Sequence, residues 1–257
     1  MRISANLGFL YTDRALPDAI RAAARDGFDA VECHFPYDMP PTDVAAALAQ
    51  TGLPMIGLNT IRGAVQNGDF GLSALPDRIS EARAAIDQAV HYGAATGARN
   101  IHVMAGVTDG SAIAEDTFRE NLAYACNAAR PHAISILIEP INHRNVPGYH
   151  ISTVEHAAAI IGDLNLPDLR LMFDCYHVQT TQGGLINRLE TYLPIIGHVQ
   201  IAAVPDRGEP DKGEVNYPEV LKALSSMGYH GFVGAEYLPR DTSARGNLDW
   251  LAPYQAI

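Results

Sequence analysis

Short apolar segments alternate with longer amphipathic segments along the chain. The short segments are rich in Val, Ile, Leu and Phe and predict strands. They are residues 3–9, 30–35, 55–60, 100–106, 135–140, 169–177, 196–202 and 232–238. The segments between them carry apolar residues at helical spacing, most clearly at 16–27, 76–97, 117–130 and 217–228. Repeated alternation of strand and helix over 257 residues is typical of a (β/α)8 barrel.

The pattern therefore predicts an α/β protein with a single (β/α)8 TIM barrel, in one domain that spans residues 1–257. A doubly wound open sheet is the alternative architecture. Such a sheet would normally bind a dinucleotide through a glycine-rich turn after the first strand. The turn here, NLGFLYTDR (6–14), lacks G-x-G-x-x-G, and no G-x-x-x-x-G-K-[ST] motif occurs in the chain. We therefore expect no nucleotide cofactor.

Charge and composition exclude several classes of protein. Lys and Arg total 18 and Asp and Glu total 29, so the net charge of -11 argues against nucleic acid as a partner and weakly against an anionic membrane. No apolar run approaches the roughly 20 residues that span a bilayer. Cys33, Cys126 and Cys175 are too few and too dispersed for a disulfide framework. Reduced thiols and a cytoplasmic location are the expectation.

Oxygen-bearing side chains occur near the ends of four consecutive predicted strands, the fifth to the eighth. They are Glu139, Asp174, Gln200 and Glu236. Because a barrel carries its chemistry at the carboxyl ends of its strands, we expect these groups to converge at one side of the mouth. Three carboxylates and one carboxamide suit Mg²⁺ or Mn²⁺. Without a metal, crowded carboxylates repel each other, and one of them retains its proton.

Strand alternation extends this prediction below the mouth. If Gln200 points inward, His198 lies one layer below it and needs a hydrogen-bond partner. If Glu236 points inward, Gly234 leaves space beneath the site.

Each polar residue taken alone also has a structural explanation. Glu32 at the second strand is better explained as a partner of a neighbouring loop than as a catalytic group. His34 and His102 are expected to be hydrogen-bonded, partly buried histidines and not ligands.

Two long βα connections are candidate lids over the mouth. Residues 62–78 follow the third strand and residues 205–216 follow the seventh. Arg207 and Lys212 lie in the second connection, and either is a candidate partner for a substrate carboxylate. An exposed charged loop explains them equally well.

Several longer segments resemble the hydroxypyruvate isomerase family, within the xylose-isomerase-like barrels. They are LIEPINHRNVPGYH (137–150), FDCYHVQ (173–179), GHVQIAAVPDRGEPDKGEVNYPEV (197–220) and GFVGAEYLPR (231–240). The resemblance covers nearly the whole chain and implies isomerisation of a small hydroxy-oxo acid. It implies that Glu139 and Glu236 donate and accept the proton, and that His177, or His143, binds substrate.

The resemblance also implies a metal site and an assembly state. Related sugar isomerases bind a divalent metal through residues that match Glu139, Asp174, Gln200 and Glu236. Histidine is more usual at the position of Gln200, which leaves the requirement for metal open. Dimers or tetramers are usual in such enzymes, so a homo-oligomer is compatible with the resemblance.

Hydroxypyruvate, converted to tartronate semialdehyde, is the expected substrate. The alternative is 2-oxo-tetronate, an acid one carbon longer, because segments such as residues 59–78 resemble that branch of the family at least as closely. A ketose 3-epimerase, an abasic-site endonuclease and a non-catalytic sugar-binding barrel are the further alternatives. The net charge of -11 disfavours the endonuclease.

Overall fold

The computed structural model describes residues 1–241 and 243–257, and these ranges form eight strands and nine α-helices. The strands are β1 (Arg2–Asn6), β2 (Ala30–Glu32), β3 (Gly57–Asn59), β4 (Asn100–His102), β5 (Ser135–Ile138), β6 (Leu169–Asp174), β7 (Ile196–Ile201) and β8 (Phe232–Ala235). The helices are α1 (Leu16–Arg25), α2 (Pro41–Thr51), α3 (Ile79–Thr96), α4 (Ala112–Ala129), α5 (Val154–Leu164), α6 (Cys175–Thr181), α7 (Leu185–Tyr192), α8 (Tyr217–Ser226) and α9 (Leu251–Gln255).

The strands form one parallel sheet in the order β2-β1-β8-β7-β6-β5-β4-β3. The two ends of this order meet through backbone hydrogen bonds. The N–H of Ile56 donates to the carbonyl of Val31 at 2.7 Å, and the N–H of Cys33 donates to the carbonyl of Gly57 at 3.0 Å. The sheet therefore closes into a barrel surrounded by helices, and the predicted (β/α)8 fold is confirmed.

The helices cover the barrel with small and aliphatic side chains. Helix α1 buries Ala19, Ile20 and Ala23 along one stripe, and α3 ends at Gly97, which adopts a left-handed conformation with φ +68°. Helix α4 begins at Ser111, whose hydroxyl accepts the N–H of Ala114 at 3.3 Å. These local signals help to fix where α3 stops and where α4 starts, and Ser111 thereby sets the end of the connection that follows β4 at the mouth.

The interior below the mouth is polar and is centred on Glu32. The predicted space beneath Glu236 exists at Gly234, where a Cβ atom would lie 2.6 Å from Glu32 Oε1. His198 has the partner it was expected to need, because its Nε2 lies 2.6 Å from Glu32 Oε2. Glu32 therefore fills the space that the missing side chain of Gly234 leaves.

The three cysteines are free thiols, and all three are buried. Within residues 1–241 and 243–257, no helix is both long enough and apolar enough to cross a membrane.

The close contact at Gly234 predicts a steric effect of Gly234→Ala. The added methyl group must displace the Glu32 carboxylate, so we expect a loss of about 1–3 kcal/mol in the free energy of unfolding, measured by urea denaturation. Gly57→Ala is the matched control on β3, because its nearest neighbours would be 3.6 Å and 3.8 Å away. Equal stability losses in the two variants would contradict this account.

Candidate active site

A cavity of about 260 Å³ opens at the carboxyl ends of the strands. It is lined by Phe9, His34, Phe35, Asn59, Arg62, Phe70, His102, Met104, Glu139, Ile141, Asn145, Val146, His177, Arg207 and Glu236. Each strand, or the connection that follows it, contributes at least one of these residues. A wider groove of about 430 Å³ shares Phe9 and His34 with the cavity, but neither Glu139 nor Glu236 lines it.

The structure brings the four predicted oxygen-bearing side chains to the mouth. Glu139 follows β5, Asp174 ends β6, Gln200 lies in β7 and Glu236 follows β8. All four are buried, with exposed fractions between 1% and 6%. Strand register pairs Asp174 with Gln200, and Gln200 with Gly234. Glu139 and Glu236 line the cavity directly.

Arg207 joins two of these carboxylates. Its Nη2 lies 2.6 Å from Glu236 Oε2 and 3.4 Å from Asp174 Oδ2. The guanidinium group also lies 5.0 Å from the ring centre of Phe9 and 4.9 Å from that of Tyr176. Two aromatic faces and two carboxylates hold this cation within the site.

The backbone at Arg207 is strained, with φ +57° in a residue other than glycine. Two hydrogen bonds hold this conformation: Arg207 N–H donates to Ala203 at 2.8 Å, and Leu238 N–H donates to the carbonyl of Arg207 at 2.8 Å. Such strain costs about 1–3 kcal/mol and persists where the surrounding structure imposes it. Here it directs the arginine side chain into the mouth.

Glu236 is held in its ionised form. Its Oε1 lies 3.0 Å from the Nδ2 donor of Asn6 and 2.8 Å from Nε2 of His34, and its Oε2 accepts from Arg207. Burial alone would raise the pKa of Glu236, but the charge of Arg207 and the contact with His34 outweigh it, and the pKa is lowered.

Glu139 lies in the opposite electrostatic situation. Its Oε1 is buried without a hydrogen-bond partner and lies 3.7 Å from His177 Nε2, and its Oε2 lies 3.5 Å from His102 Nδ1. Burial, reinforced by the charges of Glu236 and Asp174, raises its pKa well above the ordinary value. The pKa values of the two glutamates are thus displaced in opposite directions, so a protonated Glu139 and an ionised Glu236 coexist over the pH range between them.

Asp174 combines a structural role with a chemical one. Its Oδ1 accepts the N–H of Tyr176 at 2.8 Å and so caps helix α6. Burial raises its pKa to about 7, although the charge of Arg207 acts in the opposite direction.

The hydrogen bonds of Asn142 fix the tautomer of His177. The Asn142 side-chain oxygen accepts the N–H of Asn145 at 2.9 Å, so the Asn142 amide nitrogen faces His177 Nδ1 at 2.6 Å. The backbone N–H of Asn142 also donates to Nδ1, at 3.3 Å. With two donors facing Nδ1, the proton of the neutral ring resides on Nε2. Burial lowers the pKa of His177 well below its ordinary value, so the ring is neutral.

The other two histidines at the mouth differ from each other. His34 is hydrogen-bonded as expected, with Nε2 2.8 Å from Glu236 Oε1, and it lines the cavity. The expectation that His102 is hydrogen-bonded is wrong: both its ring nitrogens are buried without a hydrogen-bond partner. Burial lowers the pKa of His102 to about 4, so its ring is neutral beside Glu139.

Glu32 supports the site from below. It accepts hydrogen bonds from Ser4 Oγ at 2.9 Å, Asn6 Nδ2 at 3.0 Å and Gln200 Nε2 at 2.8 Å. Its partners are thus barrel side chains and not the neighbouring loop that the sequence suggested. Because the amide nitrogen of Gln200 is bound to Glu32, the oxygen of Gln200 is the atom left without a partner.

These unpartnered atoms decide which residues fit a metal ion. Ligand atoms of Glu139, Asp174 and His177 lie within 4.8 Å of one another. The proton on Nε2 of His177 removes that nitrogen as a ligand, whereas the free oxygens of Glu139 and Gln200 remain available. An oxygen-rich ligand set of this kind fits Mg²⁺ or Mn²⁺.

Two residues proposed as substrate ligands lie elsewhere. His143 is exposed and its Nε2 contacts the carbonyl of Tyr149 at 2.9 Å. Lys212 is 66% exposed and its ammonium lies 3.3 Å from Asp211. Neither residue lines the cavity.

The two proposed lids do reach the mouth. Residues 62–78 contribute Arg62 and Phe70 to the cavity, and residues 205–216 contribute Arg207. Arg240 anchors the second loop through Asp206 at 2.7 Å and Glu209 at 2.9 Å.

Comparison with known proteins agrees with this architecture. The profile of the xylose isomerase-like TIM barrels matches residues 20–254. The chain is 41% identical to the 2-oxo-tetronate isomerase of Cupriavidus necator over 256 residues, which cover 98% of each chain. It is 36% identical to the hydroxypyruvate isomerase of Escherichia coli over 258 residues, which cover 99% of this chain and 100% of the relative.

The chain belongs to the hydroxypyruvate isomerase family of xylose isomerase-like TIM barrels. The resemblance read from the sequence is therefore confirmed. Among solved structures, this family member superimposes on an AP endonuclease of family 2 from Brucella melitensis with a TM-score of 0.94 and 40% identity, over 99% of both chains.

Two residues of the site were not expected there. His34 was expected only as a hydrogen-bonded, partly buried histidine, although a usable signal existed, because it lies two positions after Glu32 and strand alternation directs both inward. Asn142 had none, since its role depends on how its amide orients His177.

The raised pKa of Asp174 predicts a pH-dependent stability. An aspartate in the unfolded chain ionises near pH 3.9, whereas Asp174 in the folded protein does so at about 7. The stabilisation of the folded state by the protonated Asp174 is complete below about pH 3.9 and is lost as the pH rises through about 7. Asp174→Asn should therefore gain stability relative to wild type between about pH 4 and 7, by roughly 1 kcal/mol or more.

Thermal melts at several pH values measure this gain, which corresponds to roughly 2–4 °C per kcal/mol. Asp116→Asn, at an exposed position of α4, is the control and should show no such trend. If the difference in melting temperature between Asp174→Asn and wild type is the same at every pH, the prediction is wrong.

Proposed function

We propose that this family member is an isomerase that interconverts hydroxypyruvate and 2-hydroxy-3-oxopropanoate (tartronate semialdehyde) through an enediolate. The observation that carries the proposal is the pair Glu139 and Glu236, which face one cavity with pKa values moved in opposite directions. Such a pair provides an acid and a base at the same pH. The name of the Escherichia coli relative supports this choice of reaction.

The pKa directions support the following division of roles for the reaction from ketone to aldehyde. Ionised Glu236 removes a proton from the carbon that bears the hydroxyl group, and the electron pair moves to the carbonyl oxygen. Protonated Glu139 then delivers a proton to the former carbonyl carbon, while the hydroxyl proton passes to the former carbonyl oxygen. Nε2–H of His177 is positioned to donate a hydrogen bond to the enediolate oxygen in the cavity.

Arg207 is the proposed partner of the substrate carboxylate. It lines the cavity, and its Nε is buried without a hydrogen-bond partner. A substrate carboxylate that accepts from Arg207 would share the charge now directed at Glu236. The pKa of Glu236 would then rise toward the range in which it is an effective base, so that substrate binding itself activates the base.

Ligand atoms of Glu139 and Asp174 lie within 4.8 Å of each other, and the Gln200 oxygen has no partner. Together with Glu236 these residues would hold a divalent ion such as Mg²⁺ or Mn²⁺. The chemistry that such an ion supplies is polarisation of the substrate carbonyl.

A second candidate substrate is 2-oxo-tetronate. Its support is the 41% identity to the Cupriavidus necator enzyme of that name, which exceeds the 36% identity to the hydroxypyruvate isomerase. Both acids share the ketone, the neighbouring hydroxyl-bearing carbon and the carboxylate, so Glu139, Glu236 and Arg207 would act alike on each.

The test compares kcat/KM for the two acids, with and without chelator, in wild type, Glu139→Gln and Glu236→Gln. We expect isomerisation of hydroxypyruvate with uptake of solvent deuterium, and a loss of about 10²–10⁴-fold in kcat for each variant, because each lacks its proton-transfer group. Glu190→Gln, at an exposed position of α7, is the control and should retain activity.

Three outcomes would overturn parts of this proposal. Full activity in either glutamine variant would exclude the two-glutamate scheme. Higher kcat/KM for 2-oxo-tetronate would select the second substrate. Nicking of abasic DNA without isomerisation would exclude the isomerase altogether.

Arg207→Lys should bind the acid substrate more weakly. Lysine retains the charge but loses the planar group that stacks between Phe9 and Tyr176 and donates to several oxygens at once. Loss of a charged hydrogen bond costs roughly 1.5–3 kcal/mol, so KM should rise about 10- to 100-fold. Arg144→Lys, in an exposed loop, is the matched control. An unchanged KM in Arg207→Lys would contradict its role in substrate binding.

A further inference from the structure

A second cluster of candidate metal ligands lies outside the cavity. It consists of Glu115 from α4, His150 from the connection before α5, and His156 from α5. Glu115 Oε2 lies 3.0 Å from Nε2 of His150 and 3.0 Å from Nε2 of His156. One atom from each of the three side chains lies within 4.8 Å of the others.

We propose that Glu115, His150 and His156 form a metal site for a divalent ion of the zinc class, with its fourth position open to water. Two imidazole nitrogens and one carboxylate oxygen are a ligand set that zinc prefers. Around a tetrahedral zinc ion, ligand atoms at about 2.0–2.2 Å from the metal lie roughly 3.4 Å apart. The contacts of 3.0 Å need only a small widening to reach that geometry.

The surroundings of His150 suit a metal ligand. Its Nδ1 lies 2.9 Å from the hydroxyl of Thr108, and that hydroxyl also accepts the N–H of Gly110 at 3.1 Å. A hydroxyl can accept from Nδ1–H when the metal occupies Nε2, which is the outer contact that zinc-bound histidines usually make.

The surroundings of Glu115 leave one oxygen for the ion. Arg119 binds the other oxygen, Oε1, at 2.7 Å and shares its own charge with Asp163 at 3.0 Å. The side chain of His156 is 37% exposed, whereas that of His150 is 2% exposed. An ion can therefore enter from the side of His156 and bind against an inner wall formed by His150.

The site would connect two loops that contribute to the catalytic cavity. Thr108 N–H donates to Gly148 at 3.1 Å, and His150 N–H donates to Gly106 at 2.9 Å, so the connections after β4 and β5 already run side by side. The same connections carry Met104 and Val146 in the cavity wall. A bound ion would fasten this pair of loops to α4 and α5.

The test is metal binding by the full-length, chelator-treated protein. Zn²⁺ titration by calorimetry measures the number of sites, and Co²⁺ reports coordination through its visible absorption, which is intense only in low-coordinate sites. His156→Gln removes the imidazole but retains an amide that can donate to Glu115. His132→Gln, at an exposed position, is the matched control.

Wild type and His132→Gln should bind Co²⁺ with intense visible absorption and gain thermal stability with Zn²⁺. His156→Gln and Glu115→Gln should lose that absorption, and their Zn²⁺ affinity at this site should fall at least tenfold. Glu139→Gln should retain the intense Co²⁺ absorption, which distinguishes this site from the catalytic cavity. Identical absorption in wild type and His156→Gln, or no intense absorption in wild type, would show that the three side chains form a hydrogen-bonded cluster only.

Discussion

The contact between Arg207 and Glu236 determines the electrostatics of the barrel mouth. Three carboxyl groups are buried there, and burial alone would raise the pKa of each. The arginine is shared unequally, at 2.6 Å from Glu236 and 3.4 Å from Asp174. That inequality lowers the pKa of Glu236, whereas burial and the charges of Glu236 and Asp174 raise the pKa of Glu139. Identical side chains on different strands thereby acquire different protonation states.

The layer below makes this arrangement rigid. Glu32 binds Asn6 and Gln200, and Asn6 in turn contacts Glu236. The floor and the catalytic layer are thus parts of one hydrogen-bond network, and Gly234 provides the space it occupies. Buried polar groups of this kind are stable only when nearly all are partnered. Among those that are not, Glu139 Oε1, Arg207 Nε and the ring nitrogens of His102 belong to residues that line the cavity.

Much of this architecture could be predicted from the sequence, because it follows from periodicity. The alternation of strand and helix predicts the barrel, and the barrel places Glu139, Asp174, Gln200 and Glu236 at one end. The unequal sharing of Arg207 could not be predicted, since it depends on a left-handed backbone that its neighbours impose. Sequence position can also mislead. His143 and Lys212 lie close to motif residues in the sequence, but neither lines the cavity.

The proton that Asn142 keeps on Nε2 of His177 also removes one nitrogen donor from the mouth. A nitrogen ligand would favour copper, nickel or zinc over magnesium, following the general order of affinities for such sites. With that nitrogen blocked, the unpartnered donor atoms at the mouth include the oxygens of Glu139 and Gln200 and the ring nitrogens of His102. An asparagine that is not itself a candidate ligand would thereby lower the number of nitrogen donors that a bound ion could use.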